Sequence, residues 1–147
     1  MKYFIILILI KLLCYNAEAQ SKRYVYYFDS EMNPSSKAKA VVVGQGIKME
    51  SGVRVGFSVI EPRRLFKTTE YQDSSLAVMN GKDIEYFDNG GKKYESMYKM
   101  DRLNGTTLKW DSTGLLTDSI VYNEDKMQHK TRYEYDFSGK PSRRILY

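Results

Sequence analysis

Residues 82–98, KDIEYFDNGGKKYESMY, decide the fold, because the same arrangement returns twice further along the chain. It returns at 106–122, TTLKWDSTGLLTDSIVY, and at 131–147, TRYEYDFSGKPSRRILY, with offsets of 24 and then 25 residues. Five positions shift together: Ile84, Tyr86, Gly90, Ser96 and Tyr98, then Leu108, Trp110, Gly114, Ile120 and Tyr122, then Tyr133, Tyr135, Gly139, Ile145 and Tyr147. Such a period is typical of repeat proteins in which each copy is one supersecondary unit.

Each copy predicts a strand, a turn and a returning strand. In the first copy the strands cover 82–87 and 92–98, and the turn glycine Gly90 supplies a positive φ, as Gly114 and Gly139 do later. The even spacing of the repeated positions predicts that they share one aromatic face, opposite a charged face. The predicted aromatic face carries Ile84, Tyr86, Tyr94, Tyr98, Leu108, Trp110, Ile120, Tyr122, Tyr133, Tyr135, Ile145 and Tyr147.

We therefore expect an all-β protein, an antiparallel β-meander of repeated β-hairpins in a single-layer or partly open sheet. The repeats would occupy 80–147, as copies at about 80–103, 104–128 and 129–147, with the extra residue of the third copy in a loop at 123–130. An N-terminal β region at 20–79 would hold strands at 24–28, 40–43, 53–59 and 65–71. Gly44-Gln45-Gly46 would close the second of these strands.

The N-terminus has the pattern of a signal peptide at 1–19. Lys2 precedes an apolar run that is too short for a membrane span, and Ala17 and Ala19 form a small-x-small cleavage site before Gln20. Cleavage would remove Cys14, the only cysteine, and with it any disulfide or thiolate chemistry. We expect an exported protein, located in the periplasm, associated with the outer membrane or secreted, with no transmembrane span in the mature chain.

Residues 98–105, YKMDRLNG, followed by Leu108, Trp110 and Gly114, resemble the MORN-variant repeat, which runs roughly Y-x-x-G-x-x-x-G before an aromatic strand. Proteins of this family are often described as YwqK-type antitoxin components, so the resemblance implies hairpin repeats and an antitoxin role. The signal peptide together with residues 26–29, YYFD, is also similar to small exported proteins of Bacteroidetes-like bacteria. Asp101 and Asp125 replace the first glycine of the motif, and His129 or Lys130 replaces the second, which Gly81 and Gly105 keep. These departures predict looser loops.

Catalytic chemistry finds little support in the sequence. His129, the only histidine, falls in a predicted loop without a nucleophile and an orienting partner. Glu85 and Glu134 would share one face, where cross-strand ion pairing explains them better than glycoside hydrolysis. Asp88, Asp111 and Asp136 precede the turn glycines, where aspartate usually accepts hydrogen bonds from its own backbone rather than calcium. We expect no enzymatic activity, no metal and no cofactor.

The repeated aromatic residues are the best candidates for function, either as core or as a binding face: Tyr86, Tyr98, Trp110, Tyr122, Tyr133, Tyr135 and Tyr147. The leading hypothesis is a non-catalytic protein–protein interaction or scaffold module of the bacterial envelope. Its partner would be another envelope protein or a toxin-like protein. An antitoxin or immunity protein is one alternative, and binding of phospholipid or glycan on the aromatic face is another. Arg63-Arg64 and Arg143-Arg144 could contact phosphates or lipid head groups in a peripheral membrane contact, whereas the simpler interpretation is that Arg143 and Arg144 protect the edge of the final strand from aggregation. The interspersed charges of the mildly basic chain argue against nucleic acid.

Overall fold

The computed structural model describes residues 22–147, which form one continuous antiparallel sheet without a helix. The predicted signal peptide, its cleavage residues Ala17, Ala19 and Gln20, and Cys14 lie outside the described residues. The strands are β1 Arg23–Phe28, β2 Val42–Met49, β3 Gly52–Val59, β4 Arg64–Tyr71, β5 Met79–Tyr86, β6 Lys92–Lys99, β7 Arg102–Leu103, β8 Gly105–Trp110, β9 Leu116–Asn123, β10 Lys126–Tyr135 and β11 Pro141–Leu146. The predicted all-β class is confirmed, and residues 22–147 contain no helix that could cross a membrane.

The strands follow one another in the sheet in chain order, which is the predicted meander of hairpins. The order is β1-β2-β3-β4-β5-β6-β8-β9-β10-β11, and the short β7 pairs with the end of β6. The three copies of the repeat are the hairpins β5–β6, β8–β9 and β10–β11. β4 pairs with β5 through Thr69 and Asp83, so the sheet runs without a break from the N-terminal β region into the repeats.

The two sides of the sheet differ strongly in burial around β1–β4. The core face carries Val42, Val53, Val55 and Phe57, which are buried against one another. The outer face carries the alternating residues, such as Gln45 and Gly56, which pair with each other. The β4–β5 connection at 72–78 covers the core face, because its Leu76 packs on the buried cluster and Tyr26 Oη donates to the Ser74 carbonyl at 3.0 Å. This connection replaces a second layer of structure.

Gly44 and Gly46 lie in the middle of β2, so the prediction that they end a strand is wrong. Both pair with β1, Gly44 opposite Tyr26 and Gly46 opposite Tyr24. A Cβ at Gly44 would lie 3.1 Å from Val55 Cγ1, and one at Gly46 would lie 3.2 Å from the Tyr26 ring. These distances are tighter than ordinary packing, so the glycines make room for neighbouring side chains on the core face.

The turns inside the repeat hairpins share one geometry. Gly90, Gly114 and Gly139 adopt φ of 82°, 91° and 78°, and each donates to the carbonyl three residues earlier. Next to each turn the pairing shifts by one residue, at Glu85/Tyr86, Lys109/Trp110 and Glu134/Tyr135. A turn with an added bulge residue of this kind is common in longer hairpin loops.

This turn geometry contradicts the prediction of one aromatic face. Ile84 pairs with Glu95, while Tyr94 pairs with Glu85, and directly paired residues lie on the same side of a sheet. The same holds in the other copies, where Leu108 pairs with Ser119 and Tyr133 with Arg144. The first strand of each hairpin therefore places its repeated residues on the outer face, and the second strand places them on the core face. The prediction was wrong because it continued the alternation of faces through the turn, where one bulge residue reverses it.

The turns between hairpins are tight, although glycine is missing from the first position of the family motif. β6 and β7 are joined only by Met100 and Asp101, with φ of 52° and 65°. Asp101 Oδ1 accepts a hydrogen bond from the Met79 N–H at 2.7 Å, and Asp101 N–H donates to the Met79 carbonyl at 2.9 Å. Asp125 binds Leu103 in the same way. The expectation of looser loops is wrong, because aspartate tolerates this conformation and clamps its turn to the preceding hairpin.

The predicted loop at 123–130 is also a tight turn, and the extra residue of the third copy is absorbed inside β10. His129 lies in β10 opposite Val121, next to a bulge after Met127. Tyr94 pairs with Lys109, but Asp118, its counterpart one copy later, pairs with Arg132. The register between hairpins therefore changes by two residues, which keeps every side chain on its own face. It also places Arg132, rather than Glu134, opposite Asp118. Two carboxylates directly opposite each other would destabilise the sheet.

Candidate functional site

The seven repeated aromatic residues are divided between the two faces. Tyr98, Tyr122 and Tyr147 lie on the core face, and the outer face carries the others: Tyr86, Trp110, Tyr133 and Tyr135. Six of them are half-buried, and Tyr147 is exposed. Tyr135 Oη donates to the Leu116 carbonyl at 2.9 Å, so at least this hydroxyl is held within the sheet. The seven rings therefore form no single platform, and the sequence-predicted set does not come together as one site.

The tyrosine column on the core face has a fourth member that the sequence repeat did not reveal. Tyr71 ends β4 opposite Val53, as Tyr98 ends its hairpin opposite Gly81 and Tyr122 opposite Gly105. Burial raises the pKa of Tyr71 and of Tyr98, with a further upward contribution from the charge of Asp83. The signal in the sequence is a 27-residue offset between Tyr71 and Tyr98. The longer connection at 72–78 hides it from a search at a fixed period.

A ladder of polar contacts runs along the core face beside the tyrosines. Thr69 Oγ1 donates to Asp83 Oδ1 at 2.6 Å, and Lys67 Nζ lies 3.2 Å from Asp83 Oδ2. Ser96 and Thr107 hydroxyls are 3.1 Å apart. Further along, Asp118 Oδ1 is 2.8 Å from Lys130 Nζ and 3.3 Å from Arg132 Nε. Each group in this ladder has a partner, so the ladder joins successive hairpins and offers no unsatisfied polar atom to a ligand.

The carboxylates considered for catalysis are far apart. Glu85 is in β5 and Glu134 is in β10, with β6, β8 and β9 between them. At the usual strand spacing this separates them by about 19 Å across the sheet. A glycosidase pair needs its carboxylates within about 10 Å, so these two residues do not act together. Among residues 22–147, no cluster of three His, Cys, Asp or Glu side chains is arranged to hold a metal ion.

The acidic turn residues serve the backbone of their own turns in two of the three copies. Asp111 Oδ1 accepts from the N–H groups of Thr113 and Leu115, and Asp136 Oδ1 does the same with Ser138 and Lys140. Hydrogen bonds from the Thr113 and Ser138 side chains, with these backbone donors, lower the pKa of both aspartates. Asp88 differs, because it lies one position later in its turn and pairs with Arg64.

A trough on the outer face of β1–β4 is our candidate binding surface. Its walls are the apolar side chains of Val25, Ile47 and Leu65, which are 55%, 52% and 42% exposed. Its floor contains Gly56 and Ser58, and it encloses about 540 Å³. A Cβ at Gly56 would approach Leu65 Cδ1 to 3.2 Å, so this glycine leaves room for the Leu65 wall. We call this surface the outer-face trough.

Two smaller hollows extend the outer-face trough on either side. One of about 350 Å³ shares Gln45 with it and is lined by Tyr27, Val43 and Ile60. The other, of about 290 Å³, shares Arg54 and Thr68 and reaches Ile84 and Tyr86. The outer-face trough and the hollow beside Tyr27 form a shallow apolar strip across β1–β4, whereas the hollow beside Ile84 is lined mainly by charged and polar side chains. Contiguous exposed apolar surface on a protein of this size is characteristic of interaction sites.

Cations border this apolar strip. Arg23, Lys37 and Arg63 line its hollows, and within the part of the chain that the structure describes none of them has a carboxylate at ion-pair distance. Arg54 differs, because its Nη2 lies 2.7 Å from Glu70 Oε1. A partner that covers the strip would therefore meet apolar side chains at its centre and unneutralised positive charge at its rim, the usual arrangement of protein interfaces.

Sequence reasoning did not find the outer-face trough, because its walls come from three separate strands. Val25, Ile47 and Leu65 share no spacing, and they meet only through the successive pairing of β1 with β2, β2 with β3 and β3 with β4. The one available signal was Gly56, a glycine inside a strongly β-forming run, which often marks a close approach of another group.

A comparison of the chain with models of known protein families and with curated protein sequences finds no match. The resemblance to the MORN-variant repeat therefore stays a prediction from the residues quoted above.

Proposed function

We propose that this protein is a non-catalytic, exported β-repeat module that binds another protein of the bacterial envelope through its outer-face trough. The observation that supports the proposal is the apolar strip of Val25, Ile47 and Leu65 beside cations that have no carboxylate partner among residues 22–147. Single exposed apolar residues are normal, but a grouped set around a glycine floor leaves apolar area that a partner would remove from water.

Photo-cross-linking in the native cells tests the proposal. A photoreactive phenylalanine analogue replaces Leu65 in the tagged chain, and the same analogue replaces Met100 as the matched control. Met100 is also 55% exposed, but it lies in the turn that follows β6, outside the outer-face trough. We expect one specific adduct from position 65 and none from position 100. Equal adducts from both positions, or none from either, would contradict a trough that binds a protein.

Charge substitutions test the same contact without cross-linking. Ile47→Lys with Leu65→Lys should abolish co-purification of the cross-linked partner, while Met100→Lys should leave it unchanged. Because all three side chains are exposed, thermal unfolding of the variants should stay close to that of the original protein. Export is tested separately by mass spectrometry of the N-terminus of the mature protein, which should begin at Gln20 in the exported fraction.

A further inference from the structure

The positive charge of the described chain is concentrated in its last hairpin. Residues 22–125 contain 15 Lys and Arg and 15 Asp and Glu, so they are neutral overall. Residues 126–147 contain six Lys and Arg against Glu134 and Asp136. Two of the six, Lys130 and Arg132, neutralise Asp118 of the preceding hairpin. Arg143 and Arg144 remain exposed on β11. Glu134 of β10 is the register partner of Arg143, but neither arginine has a carboxylate at ion-pair distance within residues 22–147.

β11 is also an open edge, because β10 is its only neighbouring strand in the described sheet. Apolar side chains are exposed along it and at the turn before it, with Leu146 at 67%, Tyr147 at 63% and Phe137 fully exposed. The opposite edge is better protected, since Ser35 N–H donates to the Tyr27 carbonyl at 2.8 Å and Pro34 bridges to Phe28. An open edge with exposed apolar residues is a template for an added strand.

The repeat indicates which charge an added strand should carry. At two junctions between hairpins, a charged residue on the core face meets the opposite charge on the next strand. Lys67 of β4 meets Asp83 of β5, and Asp118 of β9 meets Arg132 and Lys130 of β10. In the last hairpin Arg143 takes the place of Asp118, 25 residues later. The charge at this position is therefore inverted, and a strand added to β11 would complete the pattern with a carboxylate.

We propose that β11 binds an extended acidic segment of a partner protein as an additional strand of the sheet. Backbone hydrogen bonds to the open edge hold the segment, and its carboxylates meet Arg143 and Arg144, one on each face. Its apolar side chains cover Leu146. A second copy of this chain fits poorly, because its own β11 carries the same positive charge. This site is independent of the outer-face trough. β11 lies about 34 Å across the sheet from β3, the strand that forms the floor of the trough, so one molecule can bind two partners.

Fluorescence anisotropy with a labelled peptide in which pairs of glutamates alternate with pairs of valines, so that an added strand carries carboxylates on both faces, tests this site on the purified protein. The matched probe is the same peptide with lysine in place of glutamate. We expect the acidic peptide to bind and the basic peptide to bind at least about tenfold more weakly. The double substitution Arg143→Glu with Arg144→Glu should weaken the acidic peptide at least about tenfold. Lys48→Glu with Lys99→Glu makes the same change in net charge elsewhere and should alter binding less than about twofold.

An acidic peptide with every backbone nitrogen methylated, which has no N–H donor on either edge, separates strand addition from charge attraction. The methylated peptide keeps its carboxylates but loses its edge donors, so its binding should fall at least about tenfold. Equal binding of the methylated and unmethylated peptides would overturn the proposal, as would equal binding of the basic peptide or no binding of any peptide. If vesicles of anionic phospholipid bind in an Arg143- and Arg144-dependent way while the peptides do not, the hairpin is a membrane contact and the proposal is wrong. None of these outcomes depends on the outer-face trough.

Discussion

The region from β1 to β4 and the region from β5 to β11 belong to one sheet, but they are stabilised differently. In the first region the buried side chains are mainly apolar, and Phe57 lies 5.7 Å from Phe28 and 6.5 Å from Tyr71 between ring centroids. In the second region the buried side chains are mainly polar, as at Asp83, Thr107 and Asp118, and Ile120 is the one buried apolar residue there among those described.

The length of one connection explains this difference. The seven residues at 72–78 are enough to fold back over the core face, where Leu76 packs on the apolar cluster. The two-residue turns at 100–101 and 124–125 cannot cover anything beyond their own strands. Large apolar side chains under such turns would stay in contact with water, so the repeats use paired polar groups that tolerate partial exposure. A single-layer sheet can thus change from a buried apolar cluster to paired polar groups between two neighbouring strands, here β4 and β5.

Phe57→Ala should have the largest effect on stability, because it removes the centre of the only compact apolar cluster in the described sheet. Phe57 is 2% exposed and contacts rings on both sides. We expect a loss of about 3–5 kcal/mol in the free energy of unfolding, measured by urea titration. Val25→Ala on the exposed wall of the outer-face trough is the control and should cost less than about 0.5 kcal/mol. A small loss for Phe57→Ala would mean that the two regions are not stabilised differently.

Asp118→Asn should have the largest effect within the repeats. The substitution keeps the shape of the side chain but removes the charge that holds Lys130 and Arg132, whose side chains are themselves partly exposed. We expect a loss of about 2 kcal/mol near neutral pH. Asp136→Asn is the control, because that carboxylate serves only its own turn. If both variants lose the same stability, the ion pairs between hairpins contribute nothing specific.

The pH dependence of this effect sharpens the test. Burial acts to raise the pKa of Asp118, but the hydrogen bond and charge of Lys130, with hydrogen bonds from Arg132 and Thr117, outweigh it and leave the pKa lowered. A carboxylate with a lowered folded pKa stabilises the protein above its unfolded pKa of about 3.9, and this contribution is lost as the pH falls through the folded pKa. The stability difference between the original protein and Asp118→Asn should therefore be constant above about pH 5 and shrink below about pH 4. A difference that does not change with pH would exclude ionisation as its cause.

Trp110→Ala should cost less than Phe57→Ala, although tryptophan is larger. Trp110 is half-buried on the outer face, with Lys92 Nζ 5.6 Å from its ring centroid. We expect a loss of about 1–2 kcal/mol, from partial burial and the cation–π contact. Urea unfolding of the two variants side by side gives the comparison directly. A loss equal to that of Phe57→Ala would show that the repeats have an apolar core on their outer face.

The strands and turns of this fold were predictable, because alternation, β-branched residues and turn glycines are local signals. The face of each strand was not. Whether Tyr94 shares a side with Ile84 or with Glu85 depends on one bulge residue at the turn, and both faces carry aromatic residues that satisfy either choice. The role of Gly44 was also hidden, because its reason is the Phe28 ring and the Val55 side chain on neighbouring strands. The outer-face trough depends in the same way on contacts distant in sequence.

Replacement of Asp101 by glycine gives the smallest expected effect and, compared with replacement by alanine, the finest test of how the repeats are joined. Asp101→Ala removes the hydrogen bond to Met79 N–H and leaves a side chain at a φ of 65°, so it should cost about 1–2 kcal/mol. Asp101→Gly loses the same bond but relieves the backbone, and the two effects should cancel to within about 0.5 kcal/mol. Asp125 makes the same contact with Leu103 and should repeat the pattern. Equal losses for alanine and glycine in urea unfolding would mean that the hydrogen bond alone matters. The polar junctions of the repeats would then rest on side-chain contacts, and the tightness of their turns would contribute little.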